Sequence, residues 1–247
     1  MIRWTYAFID RPAAAAGRAT AFWSAVTGTR PSTMWGERGE FTTLLPDGDG
    51  AGADACLAIQ AVSGAAGAHL DLAVEDMTAF TARAGRLGAE EVARLPELTV
   101  LHSPGGMPFC VVPWRGQRTR PPVLTGPGGS VSRLDQICVD VSPTAFEAEA
   151  AFWATLTGWD HRPGVHPEFH VFRPSLDLPV HLLVQRLDEE RPASGHLDLA
   201  CSDRVATRAE HERRGAAFVH EGATWTVMRD PAGGIYCLTG RDPLTGD

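Results

Sequence analysis

The residues best suited to chemistry stand in two near-copies of one word, HLDLAVED at His69–Asp76 and HLDLACSD at His196–Asp203. In each copy an imidazole and a carboxylate, His69 with Asp71 and His196 with Asp198, sit two positions apart between leucines. An imidazole carries protons near neutral pH or ligates a metal, and a carboxylate beside it fixes its tautomer. Two cysteines follow, Cys110 in SPGGMPFC and Cys237 in DPAGGIYC. Three amides complete the set: Gln60 in LAIQAV, Gln185 in LLVQRL and Gln136 in LDQICVD. A further run, HRPGVHPEFHVF, carries His161, His166 and His170, with His181 in PVHLLV. Pro163 and Pro167 break that run, so it reads mainly as loop, while His170 and His181 fall on expected strands. GxSxG, Walker, GxGxxG and HExxH motifs are absent from the sequence.

Strands must present these groups. In HLDLA the His and Asp alternate with leucines, which puts the polar pair on one face and Leu70, Leu72 and Val74, or Leu197 and Leu199, on the other. Strands are also expected at Arg3–Asp10, Glu40–Leu45, Ala55–Val62, Arg133–Val141, Phe169–Arg173 and Val180–Leu187. Helices are expected at Ala13–Thr27, Met77–Leu87, Thr144–Thr157 and Arg204–Arg214. Gly28 and Gly158 mark two helix ends, and Ser142-Pro143 reads as a cap with proline at the first helical position.

The chain is a tandem repeat. AFWSAVTG at Ala21–Gly28 returns as AFWATLTG at Ala151–Gly158, and HLDLA and the [SD]PxGxxxC word recur in the same order. The halves run over 1–113 and 132–247, joined by a Pro-, Gly- and Arg-rich linker over 114–131. Hydrophobic residues make up 44% of the chain, enough for a sizeable core. The net charge of −8, with basic residues scattered, argues against a nucleic-acid partner. No apolar run is long enough for a membrane span. Five cysteines without a CxxC pair read as reduced thiols, and the N-terminus lacks a secretory signal; both point to the cytoplasm.

Strand–helix–three strands, done twice in each half, with the words xFWxxxTG, HLDLxxxD and [SD]PxGxxxC, resembles the vicinal oxygen chelate superfamily and, within it, tandem glyoxalase-like or bleomycin-resistance-type domains. The resemblance implies an α+β chain of two modules, each made of two βαβββ units that form a curled mixed sheet with helices outside. It implies a cup lined by His69 and Asp71 in one half and by His196 and Asp198 in the other. Gln60, Trp35, Phe41 and His102 are further ligand-binding candidates in the first half, as are His170, His181, Trp225 and Arg229 in the second. Trp23 and Trp153 read as structural, packing a helix on a sheet.

Metal-dependent members of that superfamily place ligands on the first, fifth and eighth strands of a module, some adding one on the fourth. Carried over, these positions fall on Gln136, His196, Cys237 and Gln185 in the second half, and on Tyr6, His69, Cys110 and Gln60 in the first. The eighth-strand carboxylate is replaced by Cys in both halves, which removes the hard oxygen that holds Mg²⁺, Mn²⁺ or Fe²⁺. The expectation is therefore a metal-free protein that binds a small molecule, with sequestration or resistance as one use. The alternative is a metal-dependent lyase, isomerase or dioxygenase whose site lies in the second half, using His196, Gln136, Gln185 and Cys237. The chain is expected to be a monomer with an internal pseudo-twofold axis or a homodimer.

Overall fold

A computed structural model describes residues 1–47, 52–174 and 177–246. The first half runs β1 (Ile2–Pro12), α1 (Ala13–Thr27), β2 (Thr29–Pro31), β3 (Phe41–Pro46), β4 (Leu57–Val62), β5 (Gly67–Val74), α2 (Met77–Arg86), β6 (Glu90–Leu95), β7 (Leu98–His102) and β8 (Pro108–Pro113). A short β9 (Leu124–Thr125) lies in the linker and pairs with the start of β10 (Val131–Val141). The second half continues with α3 (Phe146–Thr157), β11 (Asp160–Pro163), β12 (Phe169–Arg173), β13 (His181–Arg186), β14 (Ser194–Cys201), α4 (Arg204–Arg213), β15 (Ala217–Glu221), β16 (Trp225–Arg229) and β17 (Ile235–Thr239).

Each half forms one mixed sheet, and the two strand orders match: β2-β3-β4-β1-β5-β8-β7-β6 and β11-β12-β13-β10-β14-β17-β16-β15. The fold is thus α+β with two modules of two βαβββ units each. By compactness the chain groups into two units that draw on both halves. The first unit comprises Met1–Ala7, His69–Arg118 and Ile137–Gly195; the second comprises Phe8–Ala68, Thr119–Gln136 and His196–Asp247.

Local chemistry explains the helix limits. The last Asp of each HLDLxxxD word is an N-cap: Asp76 accepts from Ala79 N–H and Asp203 from Ala206 N–H, both at 2.9 Å. Gly28 and Gly158 close α1 and α3 in the left-handed conformation, at φ 63° and 67°, where a Cβ would be strained. The start of α3 differs from expectation. Pro143 lies in a turn before the helix, because the Ser142 hydroxyl meets Thr144 Oγ1 while the Thr144 hydroxyl donates to Glu190, so neither hydroxyl caps. His161, expected in a loop, lies on β11, paired opposite Phe172 of β12.

The helices carry their FW words into aromatic clusters. In the second unit, Trp23 of α1 packs on Tyr236 of β17 with centroids 5.2 Å apart. In the first unit, Trp153 of α3 packs on Phe109 of β8 at 5.1 Å. All four rings are fully buried. Each tryptophan therefore contacts a strand from the other half of the repeat. Among the described residues no helix is long and apolar enough to cross a membrane.

Candidate functional site

Both sheets bury the same three donor atoms together. The parallel pairing of β5 with β8 puts Asp71 opposite Cys110, and that of β14 with β17 puts Asp198 opposite Cys237. With the histidine two positions earlier on the same face, the clusters His69–Asp71–Cys110 and His196–Asp198–Cys237 form, their donor atoms all within 4.8 Å of one another. The first cluster lies in the first unit and the second in the second unit. The leucines between them, Leu70, Leu72, Leu197 and Leu199, are buried on the opposite face, as the alternation requires.

The second cluster is the more complete. His196 Nε2 lies 3.3 Å from Asp198 Oδ1 and 3.5 Å from Cys237 Sγ. Gln136 Nε2 donates to Asp198 Oδ2 at 2.8 Å, which places the side-chain amide against the cluster. Gln136 is only 3% exposed, and its Oε1 is buried with no hydrogen-bond partner. A buried amide oxygen left without a donor costs free energy, so this oxygen is free to accept from a bound group. Trp225, Val227 and Arg229 alternate along β16 on the face shared with Cys237, which pairs with Val227. Arg229 is exposed and donates to the Gly233 carbonyl at 3.2 Å.

In the first cluster His69 Nε2 lies 3.5 Å from Asp71 Oδ1. His102 shares the Cys110 face of β7, because Val100 pairs with Cys110 and His102 with Pro108. Tyr6 occupies the β1 place that Gln136 holds on β10.

The geometry separates two kinds of chemistry. A nucleophilic Cys-His-Asp relay needs thiol and carboxylate on opposite ring nitrogens, so that one orients the imidazole while the other exchanges a proton. Here both Asp198 and Cys237 approach the same Nε2. Three donors gathered this closely leave a common point that an ion can occupy. A zinc-class ion bonds N and O donors at about 2.0–2.2 Å and thiolate sulfur at about 2.3 Å in a tetrahedron, which sets neighbouring donors roughly 3.3–3.6 Å apart. The two separations around His196 match those edges. The donor set of nitrogen, sulfur and carboxylate suits zinc, whereas Mg²⁺ and Ca²⁺ take oxygen ligands alone.

One expectation is thereby corrected. The Cys in the eighth-strand position does not leave the clusters without a carboxylate, since Asp71 and Asp198 enter them from the strand that carries the histidine. Sequence alternation places His and Asp on one face, but only the strand register brings Asp beside Cys.

The remaining candidates lie on other strands. In the first unit Gln185 sits on β13, where its Oε1 lies 3.6 Å from Cys138 Sγ, and His181 shares its face four positions earlier. His170 is on the other face of its sheet: it pairs with the fully buried Val184, touches Phe172, and stacks on His161 with centroids 5.3 Å apart. Burial and the neighbouring His161 hold the His170 imidazole below its ordinary pKa. His170 thus lies on the side opposite His181, not beside it as a second cup-lining imidazole. In the second unit Phe41 stacks on Trp35 at 4.4 Å and meets Phe8 edge-on at 6.0 Å. Trp35 Nε1 donates to Thr43 Oγ1 at 3.0 Å, and Gln60 pairs opposite Phe41 on β4.

The model of the glyoxalase-like domain matches residues 6–112 and again 136–239. This chain belongs to the glyoxalase-like domain family. Among solved structures, the family member aligns over 96% of its length with 82% of the Mn(II)-bound glyoxalase from Novosphingobium aromaticivorans, at TM-score 0.67 and 15% identity. It aligns over 97% with 90% of 2,2',3-trihydroxybiphenyl 1,2-dioxygenase from Sphingomonas wittichii strain RW1, at 0.66 and 14%. The 2,3-dioxygenase LapB from Pseudomonas sp. KL28 follows at 0.64 and 11%, with 96% of this chain covering 92% of that one. At these identities the likeness is one of fold. A search of curated proteins finds no match.

Proposed function

We propose that this glyoxalase-like protein binds a small molecule with the help of a divalent ion of the zinc class, held on the second sheet by His196, Asp198 and Cys237 with the Gln136 amide oxygen as fourth donor. The observation that carries this reading is the approach of carboxylate and thiol to one imidazole nitrogen, beside an amide oxygen that lacks a partner. Bound there, such an ion acts as a Lewis acid towards an oxygen of the bound molecule. The chain's own groups set the terms. Asp198 is held by the Gln136 N–H, so its second oxygen stays turned to His196. Gln136 is neutral and is the weakest donor of the set. Trp225 and Val227 extend the same face with apolar surface for the rest of a ligand.

If the protein is an enzyme, the donor set favours redox-neutral chemistry, a lyase or isomerase, over a dioxygenase. A thiolate beside a centre that activates O₂ is exposed to oxidation along the sulfenic-to-sulfonic series. The similar structures include both a glyoxalase and dioxygenases, and the oxidisable cysteine among the donors of this chain favours chemistry of the first kind.

Metal-free binding of an aromatic small molecule is the second reading, favoured by the stacked Trp35–Phe41 pair with Phe8 against it. Metal analysis of protein purified without chelator, repeated on His196→Ala, separates the two. Zinc at about one equivalent or more, with one lost in the variant, supports the ion-dependent reading. Metal-free wild-type protein that retains a ligand sinks it.

A further inference from the structure

We propose that the first sheet holds a second ion site, formed by His69, Asp71 and Cys110 and one donor short of the site on the second sheet. It rests on the proposed reading of the second sheet only for the class of ion. The three donors occupy the same strand places in both halves, and the Asp–Cys register is the same, Asp71 with Cys110 as Asp198 with Cys237. His69 Nε2 and Asp71 Oδ1 are 3.5 Å apart, an edge length of the same tetrahedron, and Cys110 Sγ is within 4.8 Å of both. All three residues are buried, at 7%, 5% and 6% exposure, so their polar ends are withdrawn from bulk water.

The surrounding strand positions make the identity of these three informative. Tyr6 stands where Gln136 stands and Phe8 where Cys138 stands, while Val100 and Val227 are alike. The halves have diverged around the cluster while His, Asp and Cys are the same in both. The difference at position 6 sets the contrast: a neutral phenol is a poor ligand, so the first sheet offers three protein donors and the second offers four. Three donors hold an ion less firmly than three joined by the weak Gln136 amide, which an oxygen of a bound molecule can displace, so the first-sheet ion is the more exchangeable of the two.

The test is metal stoichiometry and order of release. Wild-type protein is expected to carry about two zinc equivalents, and His69→Ala and Cys110→Ser to carry about one each, as does His196→Ala. During chelator titration the equivalent lost in His69→Ala should leave the wild type at roughly tenfold lower chelator concentration than the other. Cobalt substitution gives an independent readout, since thiolate-to-cobalt absorption should halve in Cys110→Ser. Circular dichroism checks that each variant folds, and Cys110→Ser serves if His69→Ala does not. One equivalent in the wild type, unchanged in His69→Ala and Cys110→Ser, overturns this inference and leaves the second-sheet reading standing. One equivalent lost on changing His69 but kept on changing His196 does the reverse. No metal in the wild type overturns both.

Discussion

Trp23 and Trp153 hold matching places in α1 and α3, yet their indole N–H groups end on carboxylates from different sources. In the second unit, Trp23 Nε1 donates at 3.0 Å to Asp230 Oδ2, which also takes Arg11 Nη2 at 2.6 Å and Nε at 3.0 Å. Asp230 Oδ1 accepts the Ala232 and Gly234 N–H groups, and Arg11 Nη1 donates to the carbonyls of Asp10 and Gly67. In the first unit, Trp153 Nε1 donates at 2.8 Å to Glu149, one turn earlier on its own helix. Glu149 Oε2 takes Gly105 N–H at 2.8 Å, while Ser103, at the place of Asp230, takes Met107 N–H. One residue does in the second unit what Ser103 and Glu149 share in the first.

The exchange extends to charge and volume. Arg11 becomes Val141 and Gly234 becomes Met107, so a large cation beside a glycine is replaced by two apolar side chains, both fully buried. A Cβ on Gly234 would lie 1.8 Å from the Arg11 guanidinium, so the glycine is required by that arginine. The second unit thus holds a paired buried charge, and the first holds a carboxylate with hydrogen-bond donors and, among the described residues, no cation paired with it. A duplicated scaffold keeps the indole acceptor and relocates its supplier.

Asp230→Asn tests this contrast most severely. It leaves Arg11 buried without its counter-ion and turns an NH₂ towards existing donors, so urea unfolding should show a loss of about 4 kcal/mol. Gly234→Ala should cost about 2 kcal/mol by displacing Arg11; a loss below roughly 0.5 kcal/mol would mean that the guanidinium is not fixed by packing. Glu149→Gln should cost less than Asp230→Asn, about 1–2 kcal/mol at neutral pH, because one oxygen that accepts an N–H becomes a donor.

Glu149 also separates the units by pH. Burial pushes its carboxyl pKa up, with the bonds from Ser103, Gly105 and Trp153 opposing. The folded chain therefore keeps this proton where the unfolded chain has lost it. Its contribution to stability falls as pH rises from the unfolded value, about 4.3, towards the raised folded value, and is level above that. Glu149→Gln should flatten that part of the stability profile; an unchanged slope would assign the dependence to other groups. The smallest effect is a control on which the halves agree: Asp76→Ala and Asp203→Ala each remove one N-cap bond and should each lower stability by about 1 kcal/mol. Unequal losses would mean that α2 and α4 are not equivalently held.

Much of the site was readable from residue order. Alternation placed His and Asp on one strand face, and the repeat matched Gln136 to Tyr6 and Cys237 to Cys110. Asp71 and Asp198 are legible as cup-lining partners of the histidines, but not as donors beside Cys110 and Cys237, because that contact depends on the register between strands far apart in sequence. From the sequence either His170 or His181 can face the cup, and the pairing of their strands puts them on opposite faces.

By itself, then, the sequence determined the duplication, the helix stops at Gly28 and Gly158 and the polar face of each HLDLA strand. These follow from dihedral preferences and a period of two, which act over a few residues. Only the tertiary structure decided that Asp198 stands beside Cys237, that Trp23 packs on Tyr236 and that Arg11 meets Asp230. Those partners lie tens to hundreds of residues apart, and local periodicity fixes which way a side chain points but not what it meets.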